Sequence, residues 1–202
     1  MATRTDKRRT PARHGGARER LLRTAYDLFR RQSLNPVGID RIVAEADVAK
    51  TTLYRHFSSK DELVASVLQH HEQVWTKGWL ERTVRERETA GAGLLAIFDA
   101  FDDWFRQDDF QGCLFANALL ETRDPWSPVH AAAATGLSNV RDLISSLAKD
   151  AGVRDPDLFA RQLQMLLLGA IVHAVEGQLD AARQAREVAR ALLERDGVRL
   201  DS

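Results

Sequence analysis

Two kinds of chemistry are open to the polar side chains of this chain, and their spacing separates them. Cys113 with His130 or His173 has the residue types of a thiol nucleophile and its base, and His70, His71 and Glu72 have those of a metal site. Adjacent histidines project about 100° apart on a helix, whereas i, i+4 spacing would bring two rings onto one face, so His70-His71 is a poor ligand pair. Cys113 stands in an apolar run with no charged neighbour to lower its pKa. Neither set supports an enzyme, and no metal or cofactor is expected. Phosphate binding is better served. Lys50, Thr51, Thr52, Tyr54, Arg55 and His56 are consecutive but for Leu53, and no acidic side chain occurs between Ala49 and Phe57, as a segment approaching a polyanion requires.

A segment that short must be held by others. Almost every ordered stretch has the 3.6-residue apolar period and none alternates as a strand, which predicts an all-α fold of about nine helices. Leu21, Leu22, Ala25, Leu28 and Phe29 share one face of the first helix, and Ser33, Asn35, Pro36 and Gly38 end it. Two short helices follow, from about Ile39 to Ala46 and from about Ala49 to Phe57. Ile39, Ile42, Val43 and Ala46 form one face of the former, Val48 falls in the turn, and Leu53 and Phe57 face back from the latter. Helices this short bury such residues only by crossing closely and leaning on a third, the geometry of a helix-turn-helix. Ser59, with Glu62 three residues on, reads as a capping box for a fourth helix reaching about Trp79. Longer helices are expected from about Leu94 to Arg106, Gln111 to Glu121, Val129 to Lys149, Pro156 to Glu176 and Asp180 to Asp196.

The net charge is zero over 202 residues, but it is unevenly placed: residues 1–60 hold 14 Lys/Arg and 6 Asp/Glu, net +8, and the remainder holds 15 and 23, net −8. A basic first third on an acidic body is the footprint of a nucleic-acid partner met at one end. The opening residues are polar and Arg-rich (Arg4, Lys7, Arg8, Arg9, Arg13) and broken by Pro11 and Gly15-Gly16, as in a disordered basic arm; an Arg-rich transit peptide is the alternative. One cysteine permits no intrachain disulfide, and no apolar run suits a secretory leader, so a reducing cytoplasm is the expected compartment. The expected division is an arm over 1–17, a DNA-binding domain over 18–65 and a body over 66–202.

The run from Ile42 to Leu63, IVAEADVAKTTLYRHFSSKDEL, resembles the signature of the tetracycline-repressor (TetR) family. The resemblance covers about residues 18–65, and its Leu-Tyr-x-His-Phe-x-x-Lys core, here Leu53 to Lys60, is highly specific. It implies an all-α homodimer, a small-molecule pocket in the C-terminal domain, and release of a pseudo-palindromic operator when the pocket fills. By the same match, Lys50, Thr51 and Tyr54 fall where the family touches operator backbone or bases, and Lys60 where its fourth helix meets a phosphate. Tyr54 is also compatible with a partly buried aromatic, and His56 with packing or capping. The chain departs from the family in the turn, with Asp47 for the usual Gly, and at helix starts, with Ala49 and Gly38 for the usual hydroxyl residues. Asp tolerates a left-handed conformation better than most residues, so the turn is expected to survive. Ala49 forfeits a cap of about 1 kcal/mol.

In the body, Leu163–Val175 has only Gln164 and His173 as polar side chains, so this helix is expected to be buried on both sides yet is too short and interrupted to span a membrane. Its small residues Gly169, Ala170 and Ala174, with Ala185, Ala189 and Leu192 of the last helix, read as half of a four-helix dimer interface, or as the finish of a monomer core. Trp75, Phe101, Trp104, Phe105 and Phe115, with Cys113, Asn117, Glu121 and His173, are the candidate lining of an apolar pocket with a few polar groups. Glu121 favours an effector with a cationic or donor group. The reading is a ligand-responsive repressor released by a small apolar or aromatic molecule. The alternatives are a DNA-binding regulator whose body is a protein-interaction module, and a Cys/His enzyme.

Overall fold

The computed structural model describes residues 16–198 and Leu200; the arm expected over 1–17 falls outside them except for its last two residues. Nine helices and no strand occur among the described residues. Helix α1 is Ala17–Gln32, α2 Ile39–Ala46 and α3 Lys50–His56. Helix α4 starts as Lys60–His71, passes without a break into a π-helical stretch over Glu72–Leu80, and ends as Glu81–Arg85. The body continues with α5 (Ala90–Phe105), α6 (Leu114–Glu121), α7 (Pro128–Asp150), α8 (Pro156–Val175) and α9 (Ala181–Arg195).

Side-chain oxygens placed by the sequence set four of the nine starts among the described residues. Thr89, Ser127 and Asp155 accept the amide protons of Ala92, His130 and Leu158, and Pro128 and Pro156 occupy the first turns where no amide is needed. Thr89 explains why α5 begins four residues before the expected Leu94. At α4, Ser59 accepts from Glu62 N, while the Glu62 carboxylate reaches the backbone N and hydroxyl of Ser58, one residue earlier than a regular capping box.

Helices α1, α2 and α3 pack on one another, and α1 packs on α4. Leu21, Ala25, Phe29, Ile42, Leu53, Phe57 and Leu63 are fully or nearly fully buried there. The body is a bundle in which α7 packs on α4, α6 and α8, and α9 packs on α5 and α8. Helix α4 therefore belongs to both parts. Its π-helical stretch, where each turn takes one more residue, lies on the body side and was not expected from the sequence. It turns Trp75 toward α5 and Glu72 toward α7, and buries Thr76. Helix α8 is the one described helix long and apolar enough to cross a membrane, and it packs between α7 and α9.

Candidate functional site

The turn between α2 and α3 is made by Asp47, which holds a left-handed conformation at φ 52°, ψ 55° and returns its amide to α2. Ala49 and Gly38 start their helices without a side-chain cap. Fixed by Leu53 and Phe57 beneath, α3 presents Lys50, Thr51, Arg55 and His56 to solvent, with Tyr54 49% exposed and Thr52 half-buried. Lys50 Nζ pairs with Asp40 Oδ1 of α2 at 2.7 Å, an exposed contact whose hydrogen bond and charge raise the ammonium pKa. Lys60 stands apart from this surface: its Nζ donates to the Leu34 carbonyl at 2.7 Å, and partial burial lowers its pKa.

Further along the chain, α4, α5 and α6 bring together a continuous set of rings. Trp75 meets Trp79, Phe101 and Trp104, and Trp104 meets Phe105 and Phe110, with centroids 4.9–5.9 Å apart. Phe115 joins through His71, whose ring lies 4.8 Å from Phe115 and 5.6 Å from Trp75. The structure thus brings together Trp75, Phe101, Trp104, Phe105 and Phe115. It leaves them packed: the opening lined by Arg30, His71, Trp75, Trp104 and Asn117 holds about 20 Å³, room for roughly one water. Asn117 Nδ2 is spent on the Gln111 carbonyl. Cys113 is buried, and burial raises its thiol pKa, the reverse of what a nucleophile needs.

Two candidate pocket residues lie elsewhere. His173 is exposed on α8, with Nδ1 3.1 Å from Glu176. Glu121, at the end of α6, accepts the backbone amides of Leu34 at 3.1 Å and Asn35 at 2.8 Å, in the turn after α1. Its carboxylate ties α6 to that turn, away from the aromatic assembly, at an opening of about 320 Å³ that it lines with Leu34, Asn35 and Lys60. A second link joins Arg30 of α1 to Asp109, before α6, at 2.9 Å. Cys113, Asn117 and Glu121 recur every four residues, a spacing that defines a helix face but not what lies opposite.

The small residues of α8 and α9 also need correction. Ala170, Ala174, Ala185 and Ala189 are buried within the single chain, where they let α9 sit close on α5 and α8, and Leu192 is half-buried. Of the six residues named for the interface, Gly169 alone is exposed. Beside it, the outward apolar strip is Met165 (65% exposed), Val172 (59%) and Val188.

His71, which the sequence offered as a metal ligand, is a core residue. Tyr26 Oη lies 3.1 Å from its Nδ1, and burial, aided by Arg30 and His70, lowers its pKa to about 3. An unfolded histidine titrates near 6.5, so the unfolded state takes up a proton first, and stability contributed by the neutral ring is lost as pH falls below about 6.5. Unfolding free energy is expected to drop by about 2 kcal/mol between pH 7 and pH 5 from this group. Urea melts at both values check it, since His71→Gln should lose that part of the pH dependence; an unchanged dependence would remove the assignment.

Comparison with known proteins agrees with this geometry. The family model for "Bacterial regulatory proteins, tetR family" matches residues 21–67, which contain α2, α3 and the start of α4. The transcriptional activator FasR of Mycolicibacterium smegmatis is 32% identical over 164 residues, covering 79% of this chain and 69% of FasR. The chain belongs to the TetR family. The transcriptional regulator YjdC of Escherichia coli is 26% identical to this TetR-family chain over 84% of its length and 91% of YjdC. Among solved structures, SCO4454, a TetR-family regulator from Streptomyces coelicolor, superposes with a TM-score of 0.81 at 31% identity, covering 89% of this chain and 95% of that one. As a TetR-family member the protein is a DNA-binding transcriptional regulator and not an enzyme.

Proposed function

We propose that this regulator is a cytoplasmic homodimer that represses from a pseudo-palindromic operator and is released by a small molecule bound in its body. The observation that carries the ligand response is the Glu121 latch. Helix α6 bears Phe115 within the aromatic assembly and, six residues on, the carboxylate that holds the Leu34–Asn35 turn. A molecule that shifts α6 must move or release that turn, and with it the recognition helix α3. Release requires the effector to favour the shifted state, and a coupling of about 1–3 kcal/mol would weaken operator binding about 5- to 150-fold.

The division into a head over 18–65 and a body over 66–202 follows, with α4 shared between them. Operator contacts are assigned to Lys50, Thr51, Thr52, Tyr54, Arg55 and His56, with Lys60 supporting the head through Leu34. Dimerisation is assigned to the strip of Met165, Gly169, Val172 and Val188, since apolar side chains exposed together on two adjacent helices fit a second copy of the same surface.

Gly169→Glu tests the dimer. No atom lies within 4 Å of the position a Cβ would take there, so a single chain accommodates the glutamate. Buried against a partner copy, it would be an unpaired charge. Sedimentation should find a folded monomer for the variant and a dimer for the wild type, and operator affinity should fall with dissociation. A wild-type monomer at micromolar concentration would overturn the assignment.

One observation favours a second reading of the sign of regulation, since FasR is an activator. Transcription in vitro from an operator-bearing template separates the two: repression should lower the transcript on adding protein, and activation should raise it.

A further inference from the structure

The aromatic assembly is filled, but a second cleft is open. It lies between α4 and α7, holds about 400 Å³, and is walled by Ala65 and Leu68 on one side and Pro128, Ala131 and Ala132 on the other. Glu72 lines it. This side chain is 7% exposed, and both carboxylate oxygens are fully buried with no hydrogen-bond partner. One turn along the π-helical stretch, Thr76 is 3% exposed and its hydroxyl is also buried without a partner. Buried polar groups are nearly always paired, and a carboxylate most of all, so two orphans on one helix face need an explanation.

We propose that the α4–α7 cleft is a binding site for an amphipathic organic cation, with Glu72 receiving its N–H donors and the apolar walls holding its body. This rests on the ligand-responsive reading above and names the effector class. A carboxylate with two free oxygens matches a head that offers two parallel donors, an amidinium or guanidinium, and a charge-assisted pair of this kind is stronger than a neutral one. A metal ion is a poorer match, since no group of three or more His, Cys, Asp or Glu among the described residues is placed to hold one.

The cleft also has a route to the head. Gly136 of α7 forms part of its wall, and a Cβ at Gly136 would lie 2.3 Å from the Phe115 ring behind it. A ligand that spreads α4 from α7 therefore presses on the contact that seats Phe115, and Phe115 shares α6 with Glu121.

The test uses the full-length protein and a matched pair of probes, naphthalene-2-carboxamidine and neutral naphthalene-2-carboxamide. Calorimetry on the wild type should show the amidine binding about tenfold or more tighter than the amide. Glu72→Gln keeps the side-chain shape and should erase that preference. Thr135→Trp changes an exposed residue at the mouth of the cleft and should weaken both probes, giving a second variant that does not alter the buried carboxylate. Anisotropy of a selected operator duplex should show amidine-driven release from wild type and none from Glu72→Gln. No preference for the amidine, or equal preference in Glu72→Gln, overturns the site. A preference abolished by Glu72→Gln but without operator release upholds the site and instead removes its role as the effector switch.

Discussion

Phe57→Ala is expected to lower the unfolding free energy by about 3–5 kcal/mol and to abolish operator binding at ordinary protein concentrations. The ring is 1% exposed, with the Arg18 guanidinium 5.1 Å from its centroid. It is the point where α3 ends and the chain turns into α4, so the void left by alanine opens beneath the recognition helix itself. Helices of seven and eight residues cannot hold themselves together. Urea unfolding and operator anisotropy on the same preparation measure both effects. A loss under about 1 kcal/mol with operator binding intact would mean that the head is held chiefly by α1.

Raising salt from 50 to 200 mM is expected to weaken operator binding by about 150-fold. Lys50 and Arg55 are exposed cations on α3, so the proposed dimer would neutralise about four phosphates and give a log–log slope near −3.6. Cations outside the described residues would only steepen it. Lys50→Ala removes two of the four per dimer and should halve the slope to about −1.8. On DNA, Lys50 must exchange Asp40 for phosphate, at little cost in an exposed pair. A slope unaltered by Lys50→Ala would leave the lysine as the partner of Asp40 alone.

The helix-turn-helix was legible because its constraints are local. Ile42, Val43, Ala46, Leu53 and Phe57 are spaced so that only one crossing buries them all, and Asp47 is a residue that tolerates the left-handed turn it makes. The body was legible as helices and poorly legible as a site. Alanines at 170, 174, 185 and 189 mark a close approach, but the pattern is the same whether the neighbour is the same chain or another copy. Glu121 lies on a polar stripe whose counterpart, two backbone amides near residue 35, leaves no trace in side-chain identity. In the sequence Glu72 reads only as a metal-ligand candidate beside His70 and His71. It lies four residues after Leu68 and seven after Ala65, on the buried face of α4, while the π-helical stretch that begins there has no reliable signature in composition.

The latch between head and body is written in backbone atoms. Glu121 holds the amides of Leu34 and Asn35 from the body, and within the head Lys60 holds the Leu34 carbonyl, so neither grip depends on which side chains the turn carries. Of the links between the two parts, only the Arg30–Asp109 pair asks for particular side chains on both sides. On the proposed reading, the surface of α3 can diverge to suit a new operator and still report to the same α6, as long as Arg30 is kept for Asp109. The converse holds for the body, whose proposed ligand cleft could be recut for another effector as long as carboxylates remain at 109 and 121. Specificity for DNA and specificity for the signal are free to evolve separately on this scaffold, joined by hydrogen bonds that neither change would disturb.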